Sequence, residues 1–371
     1  MSIAVKNISL KDFSLHHQSA NNKPLTSSDD HFDFAISDCI ASTQSQEHFP
    51  FFCQFNENTI TLADTCQINT TLFSEQTIEN TEQQSSIELV IFANLTIKQL
   101  LNIIKQCQLN VMALNAINHR NQLISYRFSV QCDDLTAAKT QLANLALQEL
   151  FEAALIDNAP KLTQPGLLVM DMDSTTIEIE CIDEIAKLAG VGEQVAAVTE
   201  LAMQGELDFA QSLHQRVATL ADAPESILAA VASNIPLMNG LETLVAQLKQ
   251  HQWKVAIASG GFTYFADHLK DMLSLDAAHA NVLEIIDGKL TGKVLGDVVD
   301  AQAKADCLKS LQQEYQLAST QTVAMGDGAN DLVMMDAAHF GVAFHAKPIV
   351  LKQADSAINF SGLDCLLHWL A

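Results

Sequence analysis

Apolar and polar positions alternate regularly along the second half of the chain. Leu167–Met170, Trp253–Ala258 and Thr322–Met325 are apolar runs of strand length, and polar or glycine residues follow each one. The stretches between them carry apolar residues at helical spacing, as in Leu241–His251. Strands that alternate with helices predict an α/β fold with a doubly wound parallel sheet, and we place this domain at 165–371.

Several short helical patterns follow the first of these strands before the sheet resumes. They occupy residues 180–235 and are interrupted at Gly205 and before Pro224. Helices inserted at this point would lie over the carboxyl end of the strand, where α/β sheets carry their active sites. The pattern therefore predicts a helical cap that excludes water and contributes substrate contacts.

Residues 86–158 have a different pattern, which predicts an α+β domain. Strand, helix, strand, strand and helix are predicted in that order, at 88–93, 96–106, 111–117, 123–130 and 135–156. This order resembles a ferredoxin-like unit of the ACT type, and such domains often bind amino acids and regulate the attached enzyme. A structural role, or formation of a homodimer without a ligand, is the equal alternative.

Residues 1–85 form a separate N-terminal region with a weak pattern. They are rich in Ser, Thr, Asn and Gln, which predicts a small, loop-rich α/β region with some strands. Pro50 interrupts the run Phe49–Cys53 and argues against a central strand there. The segment 157–166 holds two prolines and a glycine, and it marks the boundary before the α/β domain.

Charge and composition narrow the classes of partner. The 371 residues include 44 Asp plus Glu against 20 Lys plus Arg, a formal charge of −24. A chain this acidic repels nucleic-acid phosphates and anionic membranes, so we expect neither as a partner. We see no apolar run of membrane-span length and no signal-peptide pattern. The eight cysteines form no C-x-x-C pair, which predicts reduced thiols and a cytoplasmic location.

Candidate chemistry lies where three predicted strands end, and at one helix between them. The residues are Asp171 and Asp173, then Ser259, Gly260 and Gly261, then Lys304 on the helix, and finally Asp327, Asn330 and Asp331. Carboxylate oxygens without His or Cys beside them suit a hard cation, above all Mg²⁺. A metal, a lysine, a hydroxyl and backbone N–H groups together suit a phosphoryl group. Each motif alone is also ordinary turn chemistry, so only the combination is informative.

The combination resembles the four motifs of the haloacid dehalogenase-type (HAD) phosphatases. The first is Asp171-Met172-Asp173-Ser174-Thr175, the second is Ser259-Gly260-Gly261, the third is Lys304, and the fourth is Gly326-Asp327-Gly328-Ala329-Asn330-Asp331. The similarity covers about 165–371. It implies a HAD-like core in which Mg²⁺ is held by Asp171, Asp327 and the backbone carbonyl of Asp173.

Three stretches of the predicted cap are Glu178–Glu180, Met203–Phe209 and Ser212–Val217, and they resemble the cap of the phosphoserine phosphatase family. The resemblance implies that Glu180 meets the ammonium of O-phosphoserine and Arg216 its carboxylate, with Met203 and Phe209 as apolar closure. This choice of groups is chemically sound, because a guanidinium matches a carboxylate bidentately. The alternative for Glu180 and Arg216 is that they are surface charges on helices, in weak ion pairs and without a role in substrate binding.

The resemblance also implies roles for the remaining groups. Asp171 would be the nucleophile and Asp173 the proton shuttle. The side chains of Lys304 and Ser259, with the N–H groups after Ser259, would hold the transferring oxygens. Asn330 would contact substrate or phosphate, and Asp331 would orient Lys304 or a metal-bound water. The implied reaction is the last step of serine biosynthesis.

Two other functions remain open from the sequence. One is a HAD phosphatase that acts on another small phosphomonoester. The other is an amino-acid-sensing regulatory protein, although a sensor would not need the nucleophile Asp171.

Overall fold

A computed structural model of the protein describes residues 6–9, 51–56, 59–64, 86–204 and 206–371. The chain divides into two compact units, Met1–Ala159 and Pro160–Ala371. In the described part of the chain, no helix is both long and apolar enough to cross a membrane. The five cysteines whose side chains the structure describes are free thiols: Cys107, Cys132, Cys181, Cys307 and Cys365.

The first unit is built on a seven-stranded antiparallel sheet with the order β1-β3-β2-β5-β6-β4-β7. Its strands are β1 Lys6–Ser9, β2 Phe51–Asn56, β3 Thr59–Asp64, β4 Ile87–Phe92, β5 Asn110–Arg120, β6 Leu123–Gln131 and β7 Ala153–Asp157. Its described helices are α1 Ile97–Gln106 and α2 Leu135–Glu149. Thr96 begins α1 with a capping box shared with Gln99, and the buried side chains of α1 include Leu100 and Ile103.

Two predictions for this unit were wrong. The helix predicted over 135–156 ends at Glu149, because Leu150 takes a left-handed conformation with φ of 56°. The residues that follow form β7, which pairs with β4. The prediction against a central strand near Pro50 also fails, because β2 lies between β3 and β5. Pro50 precedes the first residue of β2, so it removes no N–H group from the strand.

The second unit contains a seven-stranded sheet with the order β11-β10-β9-β8-β12-β13-β14. Its strands are β8 Leu167–Met170, β9 Lys254–Phe262, β10 Ala277–Ile286, β11 Lys289–Leu295, β12 Thr322–Gly326, β13 Phe340–Phe344 and β14 Ser356–Ile358. All neighbouring pairs are parallel except β10 with β11. The four residues of β8 are fully buried at the centre of the sheet, as the apolar run predicts.

Helices connect these strands and form the cap. The cap helices are α3 Cys181–Ala189, α4 Gly192–Met203, α5 Phe209–Ala218 and α6 Ser226–Ala232. The others are α7 Leu241–Gln250, α8 Thr263–Leu273, α9 Ala301–Glu314, α10 Leu332–Ala337, α11 Pro348–Leu351 and α12 Leu366–Trp369. Short 3-10 turns occur at Ser319–Gln321, Ala329–Asp331 and Leu363–Cys365. The predicted doubly wound sheet with an inserted helical cap is confirmed, and the antiparallel sheet of the first unit agrees with the predicted ACT-like region.

The cap is joined to the sheet through the hairpin of β10 and β11. The segment after α5 exchanges backbone hydrogen bonds with Leu290, whose O accepts from Asp222 N and whose N donates to Ala223 O, both at 2.9 Å. Glu225 N donates to Gly288 O at 2.8 Å. Residues 222–225 therefore pair with the start of β11 through an isolated bridge between Pro224 and Lys289.

Candidate active site

Three strand ends meet at one edge of the parallel sheet. The central strand β8 lies between β9 and β12, and all three run in the same direction. The polar residues after β8 and β12 therefore lie beside those at the end of β9. Because β9 continues to Phe262, Ser259, Gly260 and Gly261 belong to the carboxyl end of the strand itself rather than to a loop.

The turn after β8 is tightly bonded. Met172 O accepts hydrogen bonds from the N–H groups of Thr175, Thr176 and Ile177 at 3.3, 2.8 and 3.0 Å. Ser174 adopts a left-handed conformation with φ of 58°, which reverses the chain within the turn. The hydroxyl of Thr176 donates to the carbonyl of Asp171. These bonds fix the backbone that carries the two candidate catalytic carboxylates.

Lys304 connects the first and fourth motifs. It lies in the first turn of α9 and is fully buried. Its Nζ lies 2.8 Å from Asp171 Oδ2 and 2.7 Å from Asp331 Oδ1. Burial lowers the pKa of Lys304, but the two carboxylates raise it by more, so the ammonium is charged. Asp331 Oδ2 also accepts from Gly328 N at 3.0 Å, so Asp331 connects Lys304 to the turn after β12. Its orienting role, toward Lys304 or a metal-bound water, stays a prediction.

Three carboxylates form a cluster that suits a metal ion. One oxygen from each of Asp171, Asp327 and Asp331 lies within 4.8 Å of the other two. Burial and the neighbouring Asp171 raise the pKa of Asp327, whereas Lys347 and the hydroxyl of Thr175 lower it. A divalent cation would relieve this repulsion, and an all-oxygen donor set fits a hard ion. Asp171 and Asp331 each accept two hydrogen bonds already, from Met172 N and Lys304 and from Gly328 N and Lys304. Hydrogen bonding therefore does not distinguish them as ligands, and the choice of Asp171 with Asp327 rests on the family resemblance.

Asp173 has the environment of a carboxylic acid that keeps its proton. Its Oδ1 is buried and has no hydrogen-bond partner among the described residues. Burial raises the pKa of Asp173 well above its usual range, and the charges of Glu180 and Asp171 raise it further. A protonated acid beside a carboxylate is the arrangement that general acid catalysis requires.

The glycines of the second motif allow close approach of the backbone. A Cβ on Gly261 would lie 2.6 Å from Met172 Cε and 3.1 Å from Asp173 Oδ2. A Cβ on Gly260 would lie 2.5 Å from Phe209 Cζ, so the aromatic ring of the cap covers this residue. Ser259 is buried, and its Oγ accepts from Gly261 N at 2.9 Å.

Two charged side chains of the cap approach the carboxylate cluster. Ser174 Oγ donates to Glu180 Oε1 at 2.9 Å, and Glu180 remains solvent-accessible. Arg216 has a buried Nε without a hydrogen-bond partner in the part of the chain that the structure describes. Burial lowers the pKa of Arg216, while Glu180, Asp183 and Asp173 raise it, so these acids lie near the guanidinium. This is an electrostatic environment for a ligand with both an acidic and a basic group.

Two predicted residues have a less defined placement. Met203 ends α4, and its side chain lies outside the described part of the structure. Asn330 is half-buried in the 3-10 turn after β12, where its Oδ1 would lie 2.2 Å from a Cβ on Gly328. Its contact with a substrate stays a prediction.

One residue of the site has no signature in the sequence. Asn281, in β10, donates to Gly260 O at 2.8 Å and accepts from Val299 N at 2.8 Å. The hairpin pattern around it predicts a strand and nothing about these bonds. Only the folded chain brings the two partners, 21 and 18 positions away, to the same amide.

Comparisons with known proteins agree with this geometry. Residues 166–339 match the profile of the haloacid dehalogenase-like hydrolases. A phosphoserine phosphatase of Vibrio cholerae is 58% identical over 257 residues, which cover 68% of this chain and 77% of the relative.

Two solved structures have the same fold. The unliganded structure of a probable phosphoserine phosphatase from Vibrio cholerae has a TM-score of 0.65 at 49% identity, covering 78% of this chain and 88% of the other. The structure of a phospho-aspartyl intermediate analogue of a phosphoserine phosphatase has a TM-score of 0.53 at 40% identity. The match covers 56% of this chain and 100% of the other. The chain belongs to the phosphoserine phosphatase family of the haloacid dehalogenase-like hydrolases.

Proposed function

We propose that the protein hydrolyses O-phosphoserine to serine and phosphate through an aspartyl-phosphate on Asp171, with Mg²⁺ as its metal. The reaction is the last step of serine biosynthesis. The observation that carries the choice of substrate is the pair of cap charges, Glu180 and Arg216, whose electrostatic neighbours include Asp171 and Asp173 of the first motif. Asp171 is in turn paired with the buried Lys304. One end of this site suits a phosphate, and the other end suits the charges of an amino acid.

The first half of the reaction forms the covalent intermediate. An oxygen of Asp171 attacks phosphorus, the bond between phosphorus and the serine oxygen breaks, and Asp173 gives its proton to that oxygen. The raised pKa of Asp173 supports this role, because it favours the protonated form that the first step requires. A solved structure of a related phosphoserine phosphatase contains an analogue of the phospho-aspartyl intermediate. That structure supports the same chemistry here.

The second half releases phosphate. Asp173, now ionised, takes a proton from a water molecule that attacks phosphorus, and the bond from phosphorus to Asp171 breaks. Lys304, Ser259 and the Gly261 N–H group would hold the transferring oxygens, since all lie at the same edge of the sheet. The cap closes this site through Phe209, which already lies over Gly260.

The all-oxygen donor set supports Mg²⁺ as the metal. Asp171 and Asp327 would hold it, together with the backbone carbonyl of Asp173 that family resemblance implies. When bound, Mg²⁺ supplies positive charge that lets an anionic nucleophile approach an anionic phosphate.

The test is phosphate release from phosphoserine with and without Mg²⁺, beside phosphothreonine, phosphoethanolamine and a sugar phosphate. We expect phosphoserine to give the highest kcat/KM and chelation to abolish the activity. A higher kcat/KM for any other ester would contradict the substrate, and full activity after chelation would contradict the metal.

Location and assembly are separate proposals. Free thiols at the five cysteines with described side chains support a cytoplasmic location. Homodimer formation through the N-terminal region remains a prediction, which light scattering of the full chain would test.

A further inference from the structure

We propose that Asn281 is a positioning residue that holds the peptide between Gly260 and Gly261 and joins it to the start of the lysine helix α9. The inference deepens the proposed function, since it concerns how the phosphoryl group is held. Asn281 lies in β10, within the hairpin of β10 and β11, and does not belong to any of the four HAD motifs.

The side-chain amide of Asn281 is buried, and its two hydrogen bonds fix its orientation. Asn281 is 1% exposed, its Nδ2 donates to Gly260 O at 2.8 Å, and its Oδ1 accepts from Val299 N at 2.8 Å. A carbonyl partner requires the amide nitrogen and an N–H partner requires the amide oxygen, so only one orientation satisfies both. The register of β10 against β9 shifts between His279 and Asn281, which sets the direction of this side chain.

The bond to Gly260 controls a group that faces the phosphoryl site. The carbonyl of Gly260 and the N–H of Gly261 belong to one planar peptide unit, so fixing the first fixes the second. Gly261 N lies 2.9 Å from Ser259 Oγ, and a Cβ on Gly261 would lie 3.1 Å from Asp173 Oδ2. Neither glycine has a side chain to limit its rotation. Asn281 therefore supplies an orientation that the glycines cannot supply themselves.

The bond to Val299 reaches the other phosphoryl contact. Val299 precedes Asp300, which begins α9 by accepting from Ala303 N at 2.9 Å. Lys304 N then donates to Asp300 O at 3.1 Å, in the same turn. One buried amide thus ties the N–H of Gly261 and the ammonium of Lys304 to a common support.

Asn281→Asp is the sharpest test, because it changes one NH2 group to an oxygen without a change in shape. The carboxylate would repel Gly260 O and turn the peptide. Support from a buried neighbour of this kind is typically worth 10- to 100-fold in activity, so we expect kcat to fall by about 10- to 100-fold. The fall should be equal for phosphoserine and p-nitrophenyl phosphate. The inhibition constant of inorganic phosphate should rise about tenfold, whereas that of serine stays unchanged.

Gln321→Glu is the matched control. Gln321 is also a buried amide that joins two segments, since its Oε1 accepts from Lys161 N at 2.8 Å and its Nε2 donates to Lys161 O and Gln164 O at 3.0 and 3.2 Å. It lies at the amino end of β12, whereas the site lies at the carboxyl ends of the strands. We expect it to lower the melting temperature at least as much as Asn281→Asp and to leave kcat within about twofold of wild type.

Asn281→Ala guards against a folding defect, because it removes the same bond without burying a charge. Wild-type kcat in a folded Asn281 variant would overturn the inference, as would an equal loss in Gln321→Glu. Unfolding of both Asn281 variants would also overturn it, because the residue would then serve the fold rather than the site. Wild-type protein that cleaves p-nitrophenyl phosphate but not phosphoserine would contradict the proposed substrate alone.

Discussion

The ion pairs of Lys304 allow a quantitative test of the site without any substrate. Lys304→Met keeps a side chain of similar length but removes the ammonium 2.8 Å from Asp171 and 2.7 Å from Asp331. Both carboxylates are buried, so the variant leaves them uncompensated. Breaking a buried pair in this way costs about 3–5 kcal/mol. For a unit of this size, that corresponds to a fall in Tm of roughly 6–20 °C.

Intrinsic fluorescence in urea can measure this change selectively. The only two tryptophans of the chain, Trp253 and Trp369, are both buried in the second unit, so their emission reports the unfolding of that unit. The measurement is made in a chelator, so that the ion pairs are observed without metal. Phosphate release by the same variant, measured separately with Mg²⁺ and without chelator, should show a loss of at least about 100-fold in kcat.

Lys254→Met is the control for removing a lysine from the same unit. Lys254 pairs with Asp276 at 2.8 Å but is 39% exposed, and its ammonium lies 5.0 Å from the centre of the Tyr315 ring. Partly exposed contacts of these kinds contribute at most about 1 kcal/mol each. If Lys304→Met were no less stable than Lys254→Met, the view that Lys304 neutralises the carboxylate cluster would be refuted.

Three further substitutions test other parts of the site. Asp171→Asn should lower turnover by about 10⁴-fold or more while tryptophan fluorescence stays native-like, and substantial phosphate release would rule out this nucleophile. Arg216→Ala should lower kcat/KM for phosphoserine by about 100-fold and for p-nitrophenyl phosphate by far less; an equal loss would remove the basis for the substrate. Gly326→Ala places a Cβ 2.4 Å from Asp331 Cγ and should cost about 1–3 kcal/mol in urea unfolding. Gly192→Ala, whose nearest contact is 3.7 Å, is its neutral control.

The parts that followed from the sequence were those with a local pattern. The strand before Asp171 is a run of four apolar residues, and it is buried on both faces as such a run requires. Parallel strands place their carboxyl ends at one edge, so the motif residues had to meet there once the strands were recognised. The helix of Lys304 begins at Ala301, because Asp300 supplies its cap.

The parts that did not follow depend on contacts between distant residues. At Leu150 the helix α2 ends without the glycine that usually marks such an end. The apolar residues of β7 therefore extend the helical pattern of the sequence past the true end of the helix. The strand β7 is defined by its pairing with β4, which lies more than 60 positions earlier. Asn281 is a stronger case, since its two bonds join segments that no local pattern relates.

The pairing of residues 222–225 with the start of β11 has a consequence for the behaviour of the protein in concentrated solution. An uncovered β11 would present free N–H and C=O groups at the edge of a seven-stranded sheet, and such edges template aggregation. The bonds from Asp222 and Ala223 to Leu290, and from Glu225 to Gly288, occupy part of this edge. The cap therefore also protects this edge strand against pairing with another molecule. An engineered cap that lacks these four residues would leave an aggregation-prone strand edge on an otherwise intact enzyme.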